Sequence, residues 1–203
     1  MKRMLVLSLV LFGVVAFAAT AGAQNLLGTL EVNGGYAKSS TEYLDDGTKL
    51  GGGITFGAAY WRPMSPSMSW GAEVSYDNHG DLDYVVPATG ETGTLSTHVY
   101  RINPAIRFNF GAPVGPSFFA QGGAGLYSVS TKLEDASLGI PVDGSKSGIG
   151  FNFGAGVNFP VGPKTKLNFQ GNYHVAPGAE LVNLEVTDNS NYLQLRCGLG
   201  FGL

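Results

Sequence analysis

The sequence predicts an all-β chain: eight antiparallel up-and-down strands closed into a transmembrane β-barrel. Three observations carry this reading. Apolar and polar residues alternate with period two through most of the chain. Connections between the alternating segments switch between short Pro/Gly turns and long polar loops. An N-terminal secretory segment comes first, and nothing after it is apolar for long enough to make a spanning helix.

The secretory segment is read from Lys2 and Arg3, the apolar run 4–18, and the small residues Ala21, Gly22 and Ala23. This arrangement predicts a signal peptide over 1–23, cleaved before Gln24, and a barrel domain over 24–203. The run is too short for an anchoring helix, and no Cys follows it to accept a lipid.

Strand one is expected over 26–36, with Leu30, Val32 and Tyr36 on one face and Thr29, Glu31 and Asn33 on the other. Strand two (50–61) sets Ile54, Phe56, Ala58 and Tyr60 against Gly53, Thr55 and Gly57. Strand three (69–77) sets Trp70, Ala72, Val74 and Tyr76 against Gly71, Glu73 and Ser75. In strand four (97–110), Tyr100, Ile102, Ile106, Phe108 and Phe110 oppose Arg101, Asn103, Arg107 and Asn109. Pro104 removes a ladder donor there, but parity is the same on both sides of it, which predicts a distortion and not a break. Strand five (117–130) alternates least cleanly, with Phe118, Ala120, Ala124 and Leu126 against Gln121, Gly123 and Gly125. Strand six (147–159) and strand seven (166–175) repeat the pattern, with Phe and Val against Gly, Asn, Gln and His174. Strand eight (192–203) is the cleanest: Leu193, Leu195, Cys197, Leu199, Phe201 and Leu203 against Tyr192, Gln194, Arg196 and three glycines.

The connections 62–68, 111–116 and 160–163 are short and rich in Pro and Gly. Those near 37–49, 77–96, 131–146 and 176–190 are long and hold most of the acids, among them Asp45, Asp46, Asp81, Asp83, Glu91, Glu134, Asp143 and Asp188. Three tight turns at one end and four long loops at the other match an outer-membrane barrel. Closure then follows from physics, because an unpaired strand edge in lipid has no water to satisfy it; strand one must pair with strand eight.

Composition agrees. Only 13% of residues are charged, 11% are aromatic, and Gly occurs 31 times, about twice its usual share. Without Lys2 and Arg3, 10 basic residues stand against 15 acidic ones, which argues against nucleic acid as a partner. The single Cys197 forms no internal disulfide. A water-soluble barrel would turn its apolar face inward, but here the polar face is too small and too hydrophilic for a ligand cavity, and the apolar face is rich in aromatics. These aromatics sort by height. Tyr36, Tyr76, Tyr100 and Tyr173 lie toward the long-loop end, and Tyr60, Trp70, Phe110, Phe118, Phe159 and Phe201 toward the short-turn end. Two such girdles are what two membrane–water interfaces select.

On these features the mature chain resembles the small outer-membrane β-barrel family that includes the membrane domain of OmpA and the OmpX-type proteins. The Gly-rich stretches 119–127 (FAQGGAGLY) and 151–157 (FNFGAGV) are similar to that family's strands. The resemblance implies a cell-envelope location, contact with outer-membrane lipid and lipopolysaccharide, and handling by the barrel-assembly machinery. Family members commonly end in an aromatic residue that this machinery reads; here Leu203 is last and Phe201 stands two before it. The chain stops at strand eight, leaving no room for the peptidoglycan-binding domain of larger members.

An eight-stranded barrel is just wide enough to be filled by side chains, so its inward charges must be paired. Closure predicts a Glu31–Arg196 pair, and adjacency of strands three and four predicts Glu73 with Arg107 or Arg101. The alternative, a gated ion path, makes a narrow channel the second functional reading. His174 is the one candidate for catalysis: eight-stranded lipid A deacylases carry a His and a nearby Ser on a late strand, facing lipid. Val175 and Ala176 stand where that nucleophile is expected, and His174 falls on the inward face. No metal-ligand spacing, phosphate loop or cofactor motif is found. The leading expectation is a non-enzymatic structural or surface-interaction protein that acts through four outward loops.

Overall fold

The computed structural model describes residues 28–40, 51–85, 92–111, 115–135, 142–178, 180–181, 184–185 and 189–203. The expected signal peptide and the acids Asp45, Asp46, Glu91 and Asp188 lie outside them. Eight long strands form one closed antiparallel ring: β1 (Thr29–Ser39), β2 (Gly52–Ser65), β3 (Met68–Val85), β4 (Thr92–Gly111), β5 (Ser117–Asp135), β6 (Val142–Pro160), β7 (Thr165–Pro177) and β8 (Asn189–Gly202). Each pairs with its chain neighbours, and β1 pairs with β8 from Thr29–Gly202 to Ser39–Tyr192. A two-residue ladder, Glu180–Leu181 with Leu184–Glu185, sits between β7 and β8. No helix among the described residues is long and apolar enough to cross a membrane.

The register sets the strand tilt. Following paired residues from Ile54 through Tyr36, Leu195, Gly171, Ala155, Ala120, Phe108 and Met68 returns to β2 at Ser65. Discounting the bulge between Pro63 and Ser65, this is a stagger of about ten residues, which tilts eight strands by about 40°. Paired residues therefore climb about 3 Å from one strand to the next. That climb brings Tyr36, Tyr76 and Tyr173 to one level, with Tyr100 about 3 Å above. The lower aromatics fall about 12–20 Å below that level, so an apolar band lies between the two girdles.

Within that band the outward positions are apolar and uncovered: Ile106 is 45% exposed and Phe118 62%. The inward positions of the same strands, including Glu31, Asn33, Thr55, Glu73, Arg101 and Asn103, are buried. This distribution is the reverse of a water-soluble barrel. Pro104 lies in unbroken strand and opposes Ala72; the β4–β5 ladder lapses at 103–104 and resumes at Ala105–Gly123 without a change of register.

One expectation needs correcting. The segments 77–96 and 131–146 are not wholly loops, because β3, β4, β5 and β6 run 18, 20, 19 and 19 residues. These four strands rise about 20 Å past Tyr100 as a sheet. Asp81, Asp83, Glu134 and Asp143, expected in loops, ride on that sheet. The sheet stays ordered because its pattern reverses above the girdle: Leu82, Leu95, Val99, Val129 and Leu133 now pack inward. Gly80 assists on β3. Its φ of 76° forms a bulge between Asn78 and Asp81, after which the strand's parity is inverted and Leu82 faces in.

Candidate functional site

The chemistry of this molecule is concentrated in its lumen, which is filled in three layers. The lowest centres on Arg107. Its guanidinium donates to both oxygens of Glu31 at 2.7 and 2.9 Å, and to Gln121 Oε1 at 3.1 and 2.9 Å. It lies between the rings of Trp61 and Phe119, 3.9 and 4.1 Å from their centroids, where each π-face attracts the cation. Trp61 Nε1 donates to Glu31 Oε2 at 2.9 Å, completing the carboxylate's shell.

The middle layer centres on Glu73, which is bridged by Arg101 and by Arg196, the latter at 2.9 Å. Gln170, with its carboxamide oxygen turned to Arg196, accepts at 2.8 Å. Arg101 also reaches His174 at 2.8 Å and Gln194 at 3.2 Å. Above them Asp77 accepts from Thr55, from Gln194 and, at 2.8 Å, from the Tyr192 hydroxyl. Amide side chains tie the walls together at other heights: Asn103 donates to Asn152, Gln121 to Asn172, and Asn168 to Asn158. Over this network lies an apolar layer of Ala37, Leu95, Val99, Tyr127, Val129, Ala176 and Tyr192, all buried.

Three buried carboxylates, Glu31, Glu73 and Asp77, thus stand among three buried guanidiniums, Arg101, Arg107 and Arg196. All five residues expected to be inward charges are inward, and of the two partners expected for Glu73 it is Arg101 that bridges it, but the other expected pairing is not formed. No Glu31–Arg196 bridge forms. Closure makes β1 and β8 neighbours, but the register sets Glu31 opposite Gly200, four residues from Arg196. Arg107 reaches across the lumen to Glu31 instead, and Arg196 turns to Glu73. The Glu73–Arg107 contact is also absent. Glu73 opposes Asn103, so Arg101, two residues away, is the diagonal partner, while Arg107 lies opposite Ser69.

Sequence reasoning missed Asp77, His79 and the ring of glutamines Gln121, Gln170 and Gln194. Parity alone placed most of them inward, and a count of inward charges would have shown that three arginines need a third acid. His174 is fully buried; its ring stacks on Tyr192 at 4.5 Å and bonds Arg101, Tyr127 and Gln194, so it does not face lipid. Among the described residues no group of three or more His, Cys, Asp or Glu is placed to hold a metal.

A filled, charge-balanced lumen inside an apolar outer wall defines a small barrel that lives in a membrane. The family model described as outer membrane protein beta-barrel domain matches residues 7–201, and the chain belongs to that family. Its place is the outer membrane. Solved structures agree on the fold. Neisserial surface protein A is similar with a TM-score of 0.63 at 15% identity, over 87% of this chain and 97% of that one. A major outer membrane protein from Thermus thermophilus gives 0.57 at 14%, over 87% and 98%. The Yersinia pestis attachment invasion locus protein Ail, in complex with the heparin analogue sucrose octasulfate, gives 0.51 at 19%, over 87% and 99%. Comparison with curated proteins finds no match.

Proposed function

We propose that this protein is a non-enzymatic, non-conducting barrel that acts through the surface it presents outside the cell, namely its long loops and the four-strand extension. The reading includes export on a signal peptide cleaved before Gln24, delivery by the barrel-assembly machinery, and contact with lipopolysaccharide in the outer leaflet. The double stopper in the lumen is the observation that supports it most. A hydrated ion has to part the Arg101–Glu73–Arg196 cluster, breaking buried pairs at about 3–5 kcal/mol each, and then pass a closely packed, mainly apolar layer. The same filling occupies the lumen where a substrate would have to enter, and His174 is fully buried and held by Arg101, Tyr127 and Gln194.

Charge narrows the class of surface partner. The long connections carry twelve acids beyond Asp77 against the four lysines Lys38, Lys49, Lys132 and Lys146. Such a surface favours neutral or cationic partners over polyanions of the kind bound to Ail. Planar-bilayer recording of the refolded protein tests the core of this reading. The expected trace has no steady single-channel steps; a steady conductance that disappears in Arg107→Ala would overturn it in favour of a channel.

A further inference from the structure

The outward face of β3–β6 continues past the girdle as one surface, but its chemistry changes. Below Tyr100 it offers Ile102, Ile106 and Leu126 to acyl chains; above, it offers hydroxyls and carboxylates. The register sets Asp81 beside Ser96, Ser96 beside Lys132, and His98 beside Ser130. At about 2.5 Å of height per residue in a strand tilted by about 40°, His98 and Ser96 lie roughly 5–10 Å above Tyr100, which is the thickness of a headgroup layer. A lipid that lays its tails on Ile102 must lay its headgroup here.

The groups present suit a sugar ring. Tyr100 and Tyr76 meet at 5.0 Å between centroids, and His98 stacks on Tyr76 at 5.8 Å with a 3.0 Å bond from ring nitrogen to hydroxyl. Together they make an aromatic shelf of the kind that packs against the C–H face of a pyranose. Ser96 Oγ donates to Asp81 Oδ1 at 2.6 Å, so the hydroxyl keeps its acceptor lone pairs and the carboxylate keeps its second oxygen. Charge disfavours a phosphate, because Asp81, Asp83, Glu134 and Asp143 surround the sheet's outer face and Lys132 is held by Glu134.

We infer that this shelf, formed by Tyr100, His98, Ser96, Ser130 and Asp81, docks a neutral saccharide in the headgroup of an outer-leaflet glycolipid. The inference rests on the orientation proposed above, with the long-loop end outside. The refolded barrel in nanodiscs is offered a glycolipid whose headgroup carries neutral sugars, the same lipid truncated to its phosphorylated core, and phosphatidylglycerol; native mass spectrometry reads retention of each. Retention of the full glycolipid at least fivefold above both others is expected. It should fall to the truncated lipid's level in Asp81→Asn combined with Ser130→Glu, and survive Tyr100→Phe. An unchanged heat-modifiable gel shift verifies that each variant is folded. Equal retention of the truncated lipid points to phosphate and overturns the inference. So does retention unmoved by the paired substitution, or full competition by the released oligosaccharide without its tails. External thiol labelling of Ser145→Cys, in a Cys197→Ser background, separates the two readings. Labelled cells with equal retention sink the shelf alone, and absence of labelling sinks the orientation.

Discussion

Arg107 shows how a charge survives inside a membrane protein. Its guanidinium is satisfied by two carboxylate oxygens, one amide oxygen and two ring faces. Removing one partner strands the other, at about 3–5 kcal/mol. Glu31→Ala and Arg107→Ala should therefore each lower unfolding free energy by about that amount in urea titrations from lipid vesicles, and the double variant should cost well under the sum. The Glu31–Arg196 cycle should be additive within about 0.5 kcal/mol; a coupling there as large as that of Glu31 with Arg107 would reject the observed pairing. Parity recovered which residues point inward, because it depends only on the pleat. It did not recover who meets whom, because that depends on stagger, and stagger is written in the turns and bulges of the whole ring.

His79, just above the outer girdle, is fully enclosed with neither ring nitrogen bonded, and it packs on Tyr192 at 4.5 Å. Burial pushes its pKa down to about 4, against the opposing pull of the Asp77 carboxylate. The folded state thus binds this proton less readily than the unfolded chain does. The stabilisation is complete above about pH 6.5 and is lost as pH falls toward 4. Thermal unfolding followed between those values should show a lower midpoint at acid pH, and His79→Leu should flatten the dependence. A slope unchanged in that variant would assign the effect to another group.

At the scale of elements, the four-strand extension is the informative feature. Below Tyr100, β4 places Arg101, Asn103 and Arg107 inward; above it, the same inward parity carries Val99 and Leu95. One strand thus crosses from a membrane pattern to a water-soluble one without breaking step. Leu95→Ala should cost about 2–5 kcal/mol of local stability. Amide exchange should then quicken in 92–99 and 126–134 while the amides of 101–110 stay protected. Ser96→Ala, on the outer face, should leave exchange in 92–99 unchanged. Uniform loss of protection along β4 in Leu95→Ala would mean that the extension is not a separable unit. This feature was hard to read in the sequence because the alternation of 77–96 is carried by Asp, Ser and Thr, types that also fill loops. The bulge at Gly80 hides it further by shifting the phase, whereas uninterrupted β8 was legible to within three residues at its start.

For the whole molecule, one sorting decides everything else: apolar side chains toward acyl tails, polar ones toward the lumen. Topology and this sorting were legible because lipid enforces them together. The strand edge has to close, and the outer face has to be greasy over the full width of the band. The ring system inside the lumen was less legible, since Trp61, Phe119, Tyr127 and Tyr192 are aromatics that parity sends inward among glycines and amides.

The chain carries two tryptophans, and the structure puts them on opposite sides of the wall: Trp70 outward at 46% exposure and Trp61 inward at 3%. Fluorescence quenching in bilayers of brominated-chain lipid, with Trp61→Phe and Trp70→Phe isolating each ring, measures which side meets hydrocarbon. Trp70 should be strongly quenched and Trp61 nearly untouched. Strong bromine quenching of Trp61, or a Trp70 that yields to aqueous iodide and ignores the brominated tails, would contradict the orientation of the wall.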